Sequence, residues 1–356
     1  MSYKKYALNA IALTLCFLLI IAVIMVVIDP LCQYHMPWFG LQMDYSSERY
    51  QNPGIEKNEV YTNVIMGNSM TENFDEEWFN ESFGTTVKMS FEGARSREYA
   101  LNLRLILNSA NHVERVFLVM DGSFFSSLEV ENQYDIPEYL YDYNFFNDVQ
   151  YWFNFDIIKD YLYRMLKQNR RGNIGNRNTA VMWQDAYVFS RDETLAGLKK
   201  IEKQDAISDG TEYLKLAKAN LENIIPYIVR MPDTEFVLWV APYSMAWWYQ
   251  EWCNGKIDVW KQIYIDAIEK MLEYSNVTVY FFADDRSIGI ISDLENYKDI
   301  MHYSQQINRY IYQCFVNGDN RITAENYEAI LDQFFEYIET YPYEEDFFGE
   351  DDAIMN

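Results

Sequence analysis

Gly67-Asn-Ser69-Met70 follows Val60–Met66, a stretch with strand character. A serine directly after a strand, next to glycine and about to enter a helix, can expose its hydroxyl and its backbone N–H together. One residue can then attack a carbonyl and help bind the oxyanion. Read alone, Ser69 is more simply a helix N-cap. The second candidate is Asp299-Ile-Met-His302, in which the carboxylate can hold one imidazole nitrogen while the other faces a serine. In isolation that pair reads as a capping Asp and a surface His. Two more segments end predicted strands, Ser90-Phe-Glu-Gly93 and Val119-Met-Asp-Gly122. The remaining histidines offer less, since His112 lies in a polar turn and His35 near the expected membrane surface. No two histidines share a helix face, so a zinc enzyme is hard to build.

These segments need a frame that brings them together. Val116–Met120 is unbroken apolar sequence, the pattern of a strand buried on both faces. Thr86–Ser90, Glu235–Val240 and Val277–Phe282 read as further strands. Helices are predicted over Arg95–Asn108, Thr211–Arg230, Ile257–Tyr274, about Ser304–Val316 and about Thr323–Thr340. Alternation of this kind predicts an α/β/α three-layer fold around a parallel sheet, with ligands at the carboxyl ends of the strands. Residues 129–210 interrupt the rhythm with twelve aromatics between Tyr134 and Tyr163, and are read as a helical insertion. Trp239, Tyr243, Trp247, Trp248, Tyr249 and Trp252 could stack on sugars or touch a membrane, though core and lid packing explains most of them.

Ahead of this domain, Ala7–Ile28 carries no charge. As a helix those residues would span roughly 33 Å, enough for a bilayer core. Lys4 and Lys5 precede the run and Asp29-Pro30 follows it, so the expected topology is a cytoplasmic N-terminus with the rest outside. A cleaved signal peptide is the rival, but the run is long for one and no A-x-A site follows. Acylation at Cys32 is disfavoured because Asp29-Pro-Leu31 lacks the small residues of such a site. The expected plan is therefore an anchor at 1–29, a juxtamembrane segment at 30–59, a catalytic domain at 60–340 and a solvated acidic tail at 341–356. With 29 Lys plus Arg against 54 Asp plus Glu, a net charge of -25, nucleic acid is excluded as a partner. The four cysteines form no CxxC pair, which excludes a disulfide scaffold.

Ser69 in its G-x-S block, Gly93 after the second strand, and Asp299 with His302 near the end occur in the order of the SGNH/GDSL hydrolase blocks. The chain resembles that flavodoxin-like family over about residues 1–320. Gly-Asn-Ser-Met-Thr-Glu-Asn-Phe, Tyr-Lys-Asp-Ile-Met-His-Tyr-Ser and the single anchor are similar to the membrane-anchored branch of Gram-positive bacteria. That branch includes the D-alanyl transfer protein DltD and the SGNH partners of membrane-bound O-acyltransferases. The resemblance implies Ser69 as nucleophile, His302 as base, Asp299 as its orienter, and an oxyanion hole from the Ser69 and Gly93 backbone N–H groups. The family's third-block Asn has no clear equivalent; Val119-Met-Asp121-Gly122 stands in its place, leaving a third donor unassigned.

The expected function is acyl transfer, D-alanyl or acetyl, onto hydroxyls of a cell-envelope polymer through an acyl-enzyme, without metal or organic cofactor. A multi-spanning O-acyltransferase is the implied partner. An esterase or deacylase of the same family and a non-catalytic assembly subunit are the alternatives.

Overall fold

A computed structural model of the chain describes residues 3–43, 45–127, 134–173 and 175–349. The start of the expected insertion (129–133) and the end of the acidic tail (350–356) lie outside the described residues. The chain divides into two compact units. One comprises residues 1–60, 101–111 and 134–181; the other comprises 61–100, 112–133 and 182–356.

The larger unit is built on six strands: β1 (Asn63–Gly67), β2 (Thr86–Ser90), β3 (Arg115–Met120), β4 (Glu235–Val240), β5 (Val277–Phe281) and β6 (Arg321–Ile322). Their order is β2-β1-β3-β4-β5-β6, parallel except for the β5–β6 pair. The expected parallel sheet thus gains an antiparallel edge. β6 is two residues long, too short to carry a periodicity in sequence. β1, β2 and β5 are buried throughout and β3 and β4 after their first residue, as strands of a sheet covered on both faces are.

Aromatic side chains alternate between the two faces of this sheet. On one face Phe117 and Trp239 meet rings from the helices Glu76–Phe83 and Gln305–Asn317, with Phe117 4.9 Å from Phe79 and Trp239 5.3 Å from Phe315. On the other, Phe281 packs on Tyr264 of helix Ile257–Leu272 and Phe334 of helix Tyr327–Thr340. Ring pairs of this kind add about 0.5–1.5 kcal/mol each beyond the area they bury. Trp239, Tyr243, Trp247, Trp248 and Tyr249 are all buried, so these five are core residues rather than sugar or membrane contacts. The acidic tail departs from expectation in its first half. Tyr343–Phe348 forms a helix with Tyr343 buried, Asp346 paired to Arg191 at 2.9 Å and Glu344 paired to Lys200. The aromatics Tyr343, Phe347 and Phe348 give that stretch a buried face, against Tyr249, which its charges alone did not suggest.

The smaller unit contains the helix Tyr3–Ile28, the one described helix long and apolar enough to cross a membrane. Asp29 ends it. Its carboxylate accepts the backbone N–H groups of Gln33, Tyr34 and His35 and the Tyr151 hydroxyl, which turns the chain sharply after the helix. The juxtamembrane segment then forms a second helix, Glu48–Asn58, where a Cβ at Gly54 would overlap the Leu31 carbonyl oxygen. Residues 134–181 contribute short helices, including a π-helical stretch, Ile157–Tyr163, that runs into Arg164–Arg171. All four cysteines are free thiols.

Candidate active site

The chain leaves β1 through Gly67 and enters a short helix, Ser69–Glu72, with Asn68 as its N-cap. Gly67 is required by space: a Cβ there would stand 2.5 Å from Thr71 Cγ2 and 2.7 Å from Val119 Cγ1. Asn68 Oδ1 accepts the Met70 N–H, while Asn68 Nδ2 donates to Asp121 Oδ2 at 2.5 Å and to Ser123 Oγ at 3.1 Å. Asp121, at the end of β3, is 1 % exposed and also accepts from the Tyr243 hydroxyl, the Ser123 hydroxyl and the Phe124 N–H. A buried carboxylate with four donors is well satisfied, and it ties the ends of β1, β3 and β4 together. Asn68 and Asp121 are bonded to each other, so neither serves as the third oxyanion donor left open by the sequence.

His302 arrives on a turn between Tyr297 and Tyr303, which form an isolated antiparallel bridge. Buried polar bonds hold this turn against the segment after β4. The Tyr297 hydroxyl donates to the Pro242 carbonyl at 2.6 Å, and the Ser244 hydroxyl donates to the Ile300 carbonyl at 2.6 Å. Within the turn, Asp299 Oδ1 accepts the backbone N–H groups of Met301 and His302.

The two loops bring Ser69, His302 and Asp299 together. Ser69 Oγ is 2.8 Å from His302 Nε2, and His302 Nδ1 is 2.8 Å from Asp299 Oδ2. With Nδ1 donating to the carboxylate, Nε2 is the free acceptor for the serine proton. Burial alone would raise the Asp299 carboxyl. The imidazole and the two backbone N–H groups outweigh that and hold it well below the ordinary carboxylate range.

Gly93 lies in the turn after β2, in the left-handed region at φ +61°, which favours glycine. The turn is anchored by the Phe91 N–H, which donates to the Gly67 carbonyl at 2.9 Å, so the loops bearing Ser69 and Gly93 leave adjacent, parallel strands side by side. Among the described residues, the Ser69 and Gly93 N–H groups have no acceptor.

Two residues at this site were not foreseen. The Trp183 indole N–H donates to the Ser69 carbonyl at 3.1 Å, and its ring meets the His302 ring edge-on at 5.5 Å. Its own segment is fixed by Asn73 Oδ1, which accepts the Trp183 and Gln184 N–H groups. Lys298 Nζ lies 3.8 Å from the Tyr187 ring centroid, 4.8 Å from that of Trp183 and 3.5 Å from Asp299 Oδ2. Trp183 has no motif around it that sequence reading could have used, while Lys298 directly precedes Asp299 within the stretch that carries His302. His35 stacks on Trp38. Among the described residues no cluster of three or more His, Cys, Asp or Glu side chains is placed to hold a metal.

No protein-family model and no curated protein matches the chain. Among solved structures it is similar to one provisionally described as a platelet activating factor from Streptococcus pneumonia, at 18 % identity and a TM-score of 0.37. The match covers 76 % of this chain and 90 % of that one.

Proposed function

We propose that this chain is a membrane-anchored serine acyl enzyme of the SGNH type, which transfers an acyl group to hydroxyls of a cell-envelope polymer. The observation that carries the reading is the chain of contacts from Ser69 Oγ through His302 to Asp299. In this mechanism Ser69 Oγ bonds to the acyl carbon as its proton passes to Nε2. Nε2 then returns that proton to the departing donor oxygen. An acceptor hydroxyl next gives its proton to Nε2 as its oxygen takes the acyl group, and Ser69 recovers the proton. The backbone N–H groups of Ser69 and Gly93 would bind the oxyanion in both steps. Supporting the SGNH assignment are the order of Ser69, Gly93 and Asp299/His302 along the chain and the strand order β2-β1-β3-β4-β5. That order places the ends of β1 and β3 at a topological switch point.

The helix Tyr3–Ile28 would keep Ser69 near an acyl donor delivered through the bilayer, with the N-terminus cytoplasmic, the sheet unit outside, and a multi-spanning O-acyltransferase as the delivering partner. The test is acylation of the polymer in cells carrying wild-type or Ser69→Ala protein, together with fluorophosphonate labelling of the purified full chain. Wild-type protein should label, Ser69→Ala should not, and the Ser69→Ala cells should lose the polymer acyl groups. More acylation in the Ser69→Ala strain would make the protein a deacylase. Unchanged acylation with unlabelled wild-type protein would leave a non-catalytic assembly subunit.

A further inference from the structure

The chain is strongly acidic, yet residues 157–171 carry Lys159, Arg164, Lys167, Arg170 and Arg171 against Asp160 alone. The stretch is a continuous helix, π-helical over Ile157–Tyr163 and α-helical over Arg164–Arg171. Ile157, Leu162 and Met165 are buried against the protein, while Tyr163, Leu166, Lys167, Arg170 and Arg171 face outward. Among the described residues Arg170 and Arg171 have no carboxylate partner. Tyr163 is 62 % exposed and carries Lys167 Nζ 5.8 Å from its ring centroid, so the outward surface mixes rings with cations.

This helix sits at the outer end of the apolar span. Ile157–Tyr163 and the preceding helix Val149–Trp152 both pack on Tyr3–Ile28. From Leu18 onward that span is partly covered by the protein, whereas its earlier residues are exposed. The helix is also tied to the loop that follows the span, through paired bonds of 2.8 Å between the Asn169 side chain and the Gln42 backbone. The tip of that loop shows Trp38 and Phe39 to the outside, and Phe146 (89 % exposed) and Phe155 belong to the same unit.

We infer that the helix 157–171 lies in the membrane–water interface and binds anionic lipid headgroups. Continuity with the span decides the occupant, because what surrounds the outer end of a transmembrane helix is lipid. Trp and Tyr favour the interfacial zone, and Lys and Arg extend past them to the phosphates. A basic amphipathic helix of this kind binds through buried apolar area together with attraction to acidic lipids. The span and this helix together hold the smaller unit at two points, fixing its tilt where a single span would leave it free to swivel. The inference rests on Tyr3–Ile28 being a membrane span.

The test uses the full-length protein in phosphatidylglycerol nanodiscs with an environment-sensitive fluorophore on one cysteine. The native Cys16 thiol, exposed on the span, reports the anchor, while Cys32, Cys253 and Cys314 are buried. A Cys16→Ser/Leu166→Cys variant reports the helix, and Cys16→Ser/Tyr163→Cys repeats the measurement at a second position. Headgroup-proximal doxyl lipid should quench both helix probes at least twofold, and adding Arg170→Glu/Arg171→Glu should at least halve that quenching. Helix probes left unquenched while deep doxyl lipid quenches Cys16 would overturn this inference and leave the anchor standing. Helix probes shielded from aqueous iodide but untouched by doxyl lipid would be covered by protein, which overturns it too. An unquenched Cys16 probe would overturn the anchor and the inference together.

Discussion

Trp183 donates its indole N–H to the backbone carbonyl of Ser69 and sets its ring against His302. One side chain thereby braces two members of the site, from a segment 114 residues away from Ser69. Its effect on chemistry acts through their placement, since rate depends steeply on how reacting groups are held.

Trp183→Phe leaves one six-membered ring beside His302 and removes the N–H together with the rest of the indole. The lost hydrogen bond contributes about 1 kcal/mol to folding, so the thermal midpoint should fall by about 2–4 °C. Looser placement of Ser69 and His302 should lower turnover of a simple acetyl ester about fivefold. Steady-state kinetics beside a melting curve separates the two effects. An unaltered kcat would show that the brace is dispensable.

Asp121→Asn places an amide where four donors converge. At least one donor then faces another donor in a buried site, a loss of about 2–4 kcal/mol. The thermal midpoint should drop by about 5–10 °C. Fluorophosphonate labelling of Ser69 should slow more than tenfold, because Asn68 loses its support. Tyr243→Phe removes a single donor and should cost about 1–2 kcal/mol. A melting curve for Asp121→Asn that overlays the wild type would contradict the role given to this network.

Asp299 has a carboxyl held below its ordinary value in the folded chain. Folding therefore gains from its ionised form above the unfolded value of about 4, and that gain is lost as pH falls toward the folded value. Wild type should melt higher than Asp299→Asn at pH 7, with the difference shrinking steadily below about pH 4. At neutral pH the same substitution should lower ester turnover by about 10³–10⁴-fold, since the amide can hold the imidazole in the wrong tautomer. A melting difference that grew on acidification would reverse the sign argued here.

Gly67→Ala introduces a methyl group against Thr71 and Val119. Overpacking of that kind costs about 1–3 kcal/mol. Thr71 is bonded to the Asn68 carbonyl and to Ser90, so the displaced atoms are those that fix the turn before Ser69. Labelling by fluorophosphonate should slow at least tenfold in protein that remains folded by circular dichroism. Labelling at the wild-type rate would mean the turn absorbs the methyl elsewhere.

Sequence reading singled out Ser69, Gly93, Asp299 and His302 because each carries a local mark: a strand end before G-x-S, a glycine after a strand, a carboxylate three residues from an imidazole. The strands β2 and β4 matched their predicted bounds, Thr86–Ser90 and Glu235–Val240, to the residue. The contacts made by Trp183 and Tyr243 were not legible, because one bonds a main-chain carbonyl and the other a carboxylate 122 residues distant. Neither contact constrains the residues beside it in sequence. The compact grouping of residues 1–60, 101–111 and 134–181 was illegible for a related reason. Its cohesion comes from single polar bonds, such as the Tyr151 hydroxyl to Asp29 and Lys57 Nζ to the Leu140 carbonyl, which leave no periodic pattern.

The turn that bears His302 is fastened to the segment after β4 by Tyr297 and Ser244, and its imidazole meets a serine 233 residues earlier in the chain. Contacts of such sequence separation are late events in folding, since loop closure must be complete before they bring any gain. During synthesis the serine emerges long before its partner, so a nascent or truncated chain holds an inert hydroxyl. Under the proposed mechanism, reactivity at Ser69 would report that the His302 turn has docked, and the rate at which refolding protein regains fluorophosphonate labelling would time that step.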